Sequence, residues 1–160
     1  MTRRWIPLPL AALAAVSALA LWPGAGNAAS RTQTLRFFDK PVSIKLTHPD
    51  GTVVDHAPYP DPAPGDTLDV NSLDYKGNHT HHAKRPIGSA HLRCVFGTGE
   101  PTCESHTAIG GSMLIFSGNP GTLTNGTGIY QGATGRVISA KEVPGSDNAT
   151  DVVAKIQLHS

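Results

Sequence analysis

The chain has 160 residues, 13 basic against 12 acidic side chains, and a net charge of +1, with 39% hydrophobic and 16% charged residues. That balance excludes a highly charged disordered chain and a basic nucleic-acid binder, and the length leaves room for one ordinary domain or two small ones. Its 17 glycines and 13 prolines make it rich in turns, yet below the roughly 25–30% at which low-complexity disorder becomes the default.

Arg3 and Arg4 open the chain, and residues 10–21 are apolar except for Ser17. As a helix those residues reach about 18 Å, short of a hydrocarbon core of about 30 Å. Pro7 and Pro9 stop the helix from being extended backwards. Small residues at Ala28, Ala29 and Ser30 then suit a signal peptidase, so residues 1–29 are expected to be a signal peptide and residues 30–160 a single mature domain. An uncleaved anchor is the rival, and the short apolar stretch argues against it. The expected protein is exported, with no stable membrane anchor after cleavage and no nucleic-acid partner. Removing Arg3 and Arg4 leaves 11 basic against 12 acidic residues. In an oxidising compartment Cys94 and Cys103 are expected to pair, closing a loop whose bridge contributes about 2.5–3 kcal/mol in the chain-entropy model. A redox or metal pair is the alternative, but the spacing is not C-x-x-C and the chain has no third cysteine.

Along the mature chain, residues 32–38, 42–47 and 67–75 are strand candidates, with residues 52–54 as a short edge strand. Residues 49–65 hold seven prolines or glycines, too many for a sheet interior, and are expected to form a long surface loop. In residues 91–96, Leu92, Cys94 and Phe96 share one face, opposite His91, Arg93 and Val95. Residues 102–109 follow. The apolar run 112–117, bounded by Gly110-Gly111 and by Gly118-Asn119-Pro120, suggests a strand buried on both sides. Residues 118–135, with six glycines, are expected to be a connection. Residues 136–143 and the alternating segment 152–158 complete a count of about eight strands. Helical periodicity is absent from the mature chain, so a closed barrel or a sandwich is implied.

Several chemistries fail on the residues. The glycine-rich stretch 126–135 misses G-x-G-x-x-G and leads into a strand, so no helix N-terminus can receive a phosphate. His79 and His81 share a face of an extended segment, but two ligands are too few for a structural zinc site, and metal capture there would need His91 or His106 to fold in. No G-x-S-x-G motif is present. Glycoside chemistry needs two facing carboxylates. Asp66, Asp69 and Asp74 are available, but beside turns they read as solvated caps.

The order of features from Pro64 onward carries a resemblance. Gly65-Asp66 opens a strand ending at Gly77. Then come the segment 86–94, Cys103, the apolar strand, the turn G-T-G-I-Y-Q-G-A-T-G over residues 126–135, and a closing strand to Leu158. This resembles the allene oxide cyclase barrel-like and dirigent-like superfamily, with Asn125 standing where the first glycine of a G-G-T-G turn is common. The resemblance spans roughly residues 35–158. It implies an all-β protein with a single eight-stranded antiparallel β-barrel, which can enclose one small apolar molecule. It further implies binding of a small hydrophobic or aromatic metabolite, with cyclisation or isomerisation steered by confinement and no cofactor or metal. Homo-oligomers also occur in the superfamily. The family's catalytic residues find no match outside the turn, so the catalytic residues stay unassigned. Tyr75, His91, Arg93 and Arg136 are the ligand-binding candidates, each on a strand whose register the sequence leaves open. A secreted structural or interaction module with a filled, inert core is the competing function.

Overall fold

The computed structural model describes residues 30–159, so the expected signal peptide lies outside the described residues. The strands are β1 (Arg31–Thr47), β2 (Val53–Val54), β3 (Thr67–Asn78), β4 (His81–His82), β5 (Gly88–Val95), β6 (Thr102–Ile109), β7 (Ser112–Ser117), β8 (Thr122–Gly126), β9 (Thr134–Glu142) and β10 (Thr150–Leu158). One turn of 3-10 helix, Gly128–Tyr130, lies between β8 and β9. No helix among the described residues is long and apolar enough to cross a membrane.

Every pairing is antiparallel, in the order β1, β10, β9, β8, β7, β6, β5, β3, and β3 pairs back with β1. Eight strands therefore close a barrel, while β2 and β4 are two-residue additions along β1 and β3. Closure satisfies the edge groups that an open sheet would expose.

Two sequence segments, 32–38 and 42–47, merge into the single strand β1. Pro41 lacks an N–H for the ladder, and the register with β3 shifts between Pro41 and Ser43. That bulge reverses the alternation: Leu35, Phe37, Asp39 and Pro41 face the barrel interior before it, and Ile44 and Leu46 after it. The connection 118–135 holds β8, which pairs with β7. The strand β7 is buried on one face, with Leu114 and Phe116 inward and Met113 and Ile115 half-buried outside, because a barrel has a solvated outer wall.

The two ends of the barrel differ. Leu35, Leu114, Tyr130, Ala133 and Ile156 pack together and close one end. The glycine-rich turn permits this packing, since a side chain on Gly126 would collide with the Tyr130 carbonyl oxygen. Burial of the Tyr130 ring pushes its phenol above the usual range. At the other end, the loops after β1, β5, β7 and β9 surround an open mouth.

Candidate functional site

A cavity of about 860 Å³ fills the barrel from the closing cluster to that mouth. Inward residues of each strand supply its wall: Leu68 and Val70 on β3, Leu92 on β5, Phe116 on β7 and Val152 on β10 are apolar. Tyr59, Pro60, Asp61 and Pro62 of the long loop line its rim. Cys94 and Cys103, directly opposed on β5 and β6, are bridged and also face the lumen.

Into this apolar wall the alternation delivers two carboxyl groups. On β1 the inward series Leu35, Phe37 continues to Asp39, and on β3 the series Leu68, Val70, Ser72 continues to Asp74. Asp39 and Asp74 are direct partners across the β1–β3 ladder, which places their side chains side by side on one wall. Asp74 is 2% exposed, and its Oδ2 has no hydrogen-bond partner. Asp39 is half-buried.

Burial is the main reason both carboxyls hold protons more tightly than usual. Asp39 is raised by desolvation, against hydrogen bonds from the Ser72 hydroxyl and from Asp74 that favour its anion. Asp74 is raised to about 8, first by desolvation and then by the charge and hydrogen bond of Asp39. Of the two, Asp74 is raised to about 8 and is the proton holder, while the hydrogen bonds of Ser72 and Asp74 favour the anion of Asp39 against its burial. Two adjacent carboxyls whose surroundings separate their proton affinities are the arrangement from which an acid and a base can be made within one site.

The other aspartates go elsewhere. Asp66 is also buried, at 1% exposure, but its carboxylate caps the long loop. Oδ2 accepts from the Ala63 N–H at 2.8 Å and Oδ1 meets His48 Nδ1 at 2.9 Å. Those contacts hold its carboxyl below the usual range, the Ala63 bond most strongly. Asp69 sits on the outer wall, 3.2 Å from His91 Nε2. The reading of Asp66 and Asp74 as solvated caps is therefore corrected: both are buried, one as a loop cap and one in the lumen.

The structure places Tyr75, His91, Arg93 and Arg136 on the outer wall. Tyr75 follows inward Asp74 and packs at a tilt against Phe38 and edge-on against His82, with ring centroids 6.2 and 5.4 Å away. His91 and Arg93 alternate with inward Ala90, Leu92 and Cys94. Arg136 is exposed beside Lys155, its partner on β10. None of the four lines the cavity. Of the histidine patch, His79 bonds Asp151 at 2.6 Å and His82 stacks on Phe38 at 4.9 Å, so the rings turn to separate partners.

No family model matches the chain, and no curated protein matches its sequence. Solved structures do share its fold. A pterocarpan synthase dirigent protein superposes with a TM-score of 0.58 at 16% identity, over 81% of this chain and 91% of that one. Pyocyanin demethylase superposes with a TM-score of 0.54 at 14% identity, over 79% of this chain and 99% of that one.

Proposed function

We propose that this dirigent-like barrel is an exported small-molecule binder whose lumen holds an apolar, ring-bearing metabolite against Asp39 and Asp74 and steers its isomerisation or cyclisation. The observation that carries this is the adjacent pair of carboxyls in a largely apolar cavity of about 860 Å³. A cavity of that size lies within the range of ligand sites, roughly 300–1,000 Å³, and far above the voids of a filled core. An inert structural module has no use for such a lumen, nor for a desolvated carboxyl oxygen left without a partner.

The wall fixes the conformation of the bound molecule, which removes much of the entropy cost of ring closure. Asp39 then accepts a proton from the ligand while Asp74 donates its own to a second ligand atom. The ligand leaves with the same number of protons, and transfer across the Asp39–Asp74 hydrogen bond restores the pair. Isomerisation and ring closure of this kind are redox-neutral, so the two carboxyls suffice for the proton movements.

Binding is tested with a neutral, apolar fluorophore, N-phenylnaphthylamine, titrated into the mature protein. Saturable enhancement that is lost in Ala90→Trp, a substitution that fills the lumen while circular dichroism stays that of the wild type, is expected. Enhancement that is absent, or unaffected by filling the lumen, refutes the reading.

A further inference from the structure

The charges that line the lumen all have one sign. Among the described residues of the cavity wall, Asp39, Asp61 and Asp74 are acidic and none is Lys, Arg or His. The outer wall is the opposite case, where carboxylates meet histidines: Asp69 with His91, Glu104 with His106 at 2.6 Å, Asp151 with His79 at 2.6 Å. Inside, Asp74 keeps an oxygen without any partner while 98% of its surface is covered.

The surroundings of the pair supply no compensating charge. On β10 the residue opposite Asp39 is Thr150, and on β5 the residues opposite Asp74 and Ser72 are Gly88 and Ala90. Thr107 faces the lumen from β6, and Tyr59 and Asp61 are the titratable groups of the rim. A low-dielectric wall with acidic groups and no cation sets a negative potential throughout the cavity. Anionic ligands meet repulsion there, and neutral ligands gain nothing from it.

We propose that the lumen selects cations: an apolar ring system carrying one positive charge on nitrogen, an alkylated heteroaromatic or a protonated aryl amine, seated with that charge against Asp39. This deepens the small-molecule reading and rests on it. Asp39 is the contact residue because it is the more open of the two carboxyls, and Asp74 stands behind it as the proton holder. A bound cation offsets the repulsion between two ionised carboxylates, so it lowers the proton affinity of Asp74, and part of the bound barrel releases its proton while the rest keeps the acid. Cation affinity must therefore rise with pH until Asp74 is already ionised in the empty barrel, whereas the affinity of a neutral isostere does not rise.

Three probes of nearly one shape separate charge from size: N-methylacridinium, neutral acridine and acridine carboxylate. Fluorescence titration at about pH 7 should give N-methylacridinium an affinity at least about tenfold above acridine, with the carboxylate weakest. Calorimetry in buffers of different ionisation heat should show up to about one proton released per bound cation. The cation preference should grow from about pH 6 to about pH 8.5 and shrink to within about threefold in Asp39→Asn/Asp74→Asn. Equal affinity for the three probes, tighter binding of the carboxylate, or a preference unchanged in the double variant overturns the proposal. If N-phenylnaphthylamine still binds while N-methylacridinium does not, charge selection fails and the small-molecule reading stands. If neither binds, both fail.

Discussion

Two aspartates of this protein are almost equally hidden, Asp66 at 1% exposure and Asp74 at 2%, yet they hold their protons in opposite ways. Asp66 is covered by its own loop and accepts from the Ala63 N–H and His48, so its charged form is stabilised and its carboxyl titrates below the usual range. Asp74 is covered by the barrel interior, next to a second carboxyl, and one of its oxygens has no partner, so its charged form is disfavoured. Burial alone does not decide the protonation state of a carboxyl. What surrounds it decides, and here the surroundings separate a structural cap from a group poised for chemistry.

The largest expected effect comes from removing the lumen charge. Between the ordinary value of 3.8 and about 8, the unfolded chain ionises Asp74 while the folded barrel retains the proton. Folding stability attributable to Asp74 therefore falls as pH rises through that window and levels off above it. Asp74→Asn should raise stability at about pH 8 by about 2–4 kcal/mol and flatten that slope in urea unfolding curves. It should also abolish any proton-transfer activity, a trade of function against stability.

Asp39→Asn should act in the same direction but less, by about 1–2 kcal/mol, because it removes repulsion while desolvation of Asp74 remains. Asp66→Asn should have the opposite sign, lowering the thermal midpoint by a few degrees at neutral pH. A depressed carboxyl stabilises the fold above its ordinary value and loses that contribution as pH falls through its folded value, so this deficit should vanish in acid. The smallest effect is expected from His48→Gln, a drop of roughly 1–2 °C, since the half-exposed imidazole is the lesser of the two contacts on Asp66. A stability gain in Asp66→Asn, or a loss in Asp74→Asn at about pH 8, breaks the contrast between the two groups.

Much of the barrel was legible in the residues, though the strand count agreed through two compensating differences. The bulge at Pro41 joined two expected strands into one, and β8 emerged from the glycine-rich connection. Segment 122–126 places only Leu123 and Gly126 inward, too little for a hydrophobic period to reveal. The turn motif over residues 126–135 had clear meaning, because its glycines let Tyr130 seal one end. The site was harder to see. The alternation of residues 91–96 already set His91 and Arg93 opposite Cys94, so lumen register was present in the sequence once the bridge was assigned to the interior. Asp39 and Asp74 each continue an inward alternating series, Leu35-Phe37-Asp39 and Leu68-Val70-Ser72-Asp74, and that pattern was the available signal. Their pairing was not available, since it depends on long-range closure of β1 on β3 around the bulge.

The most direct test of the account is the proton affinity of Asp74, measured by following the carboxyl carbon-13 resonances of the aspartates through a pH titration, with Asp74→Asn to assign the signal. The Asp74 resonance should shift with a midpoint at about 8, while Asp66 is already ionised at weakly acidic pH. An Asp74 midpoint near the ordinary 3.8 would contradict it, because the lumen would then hold two solvated carboxylates and no acid to give.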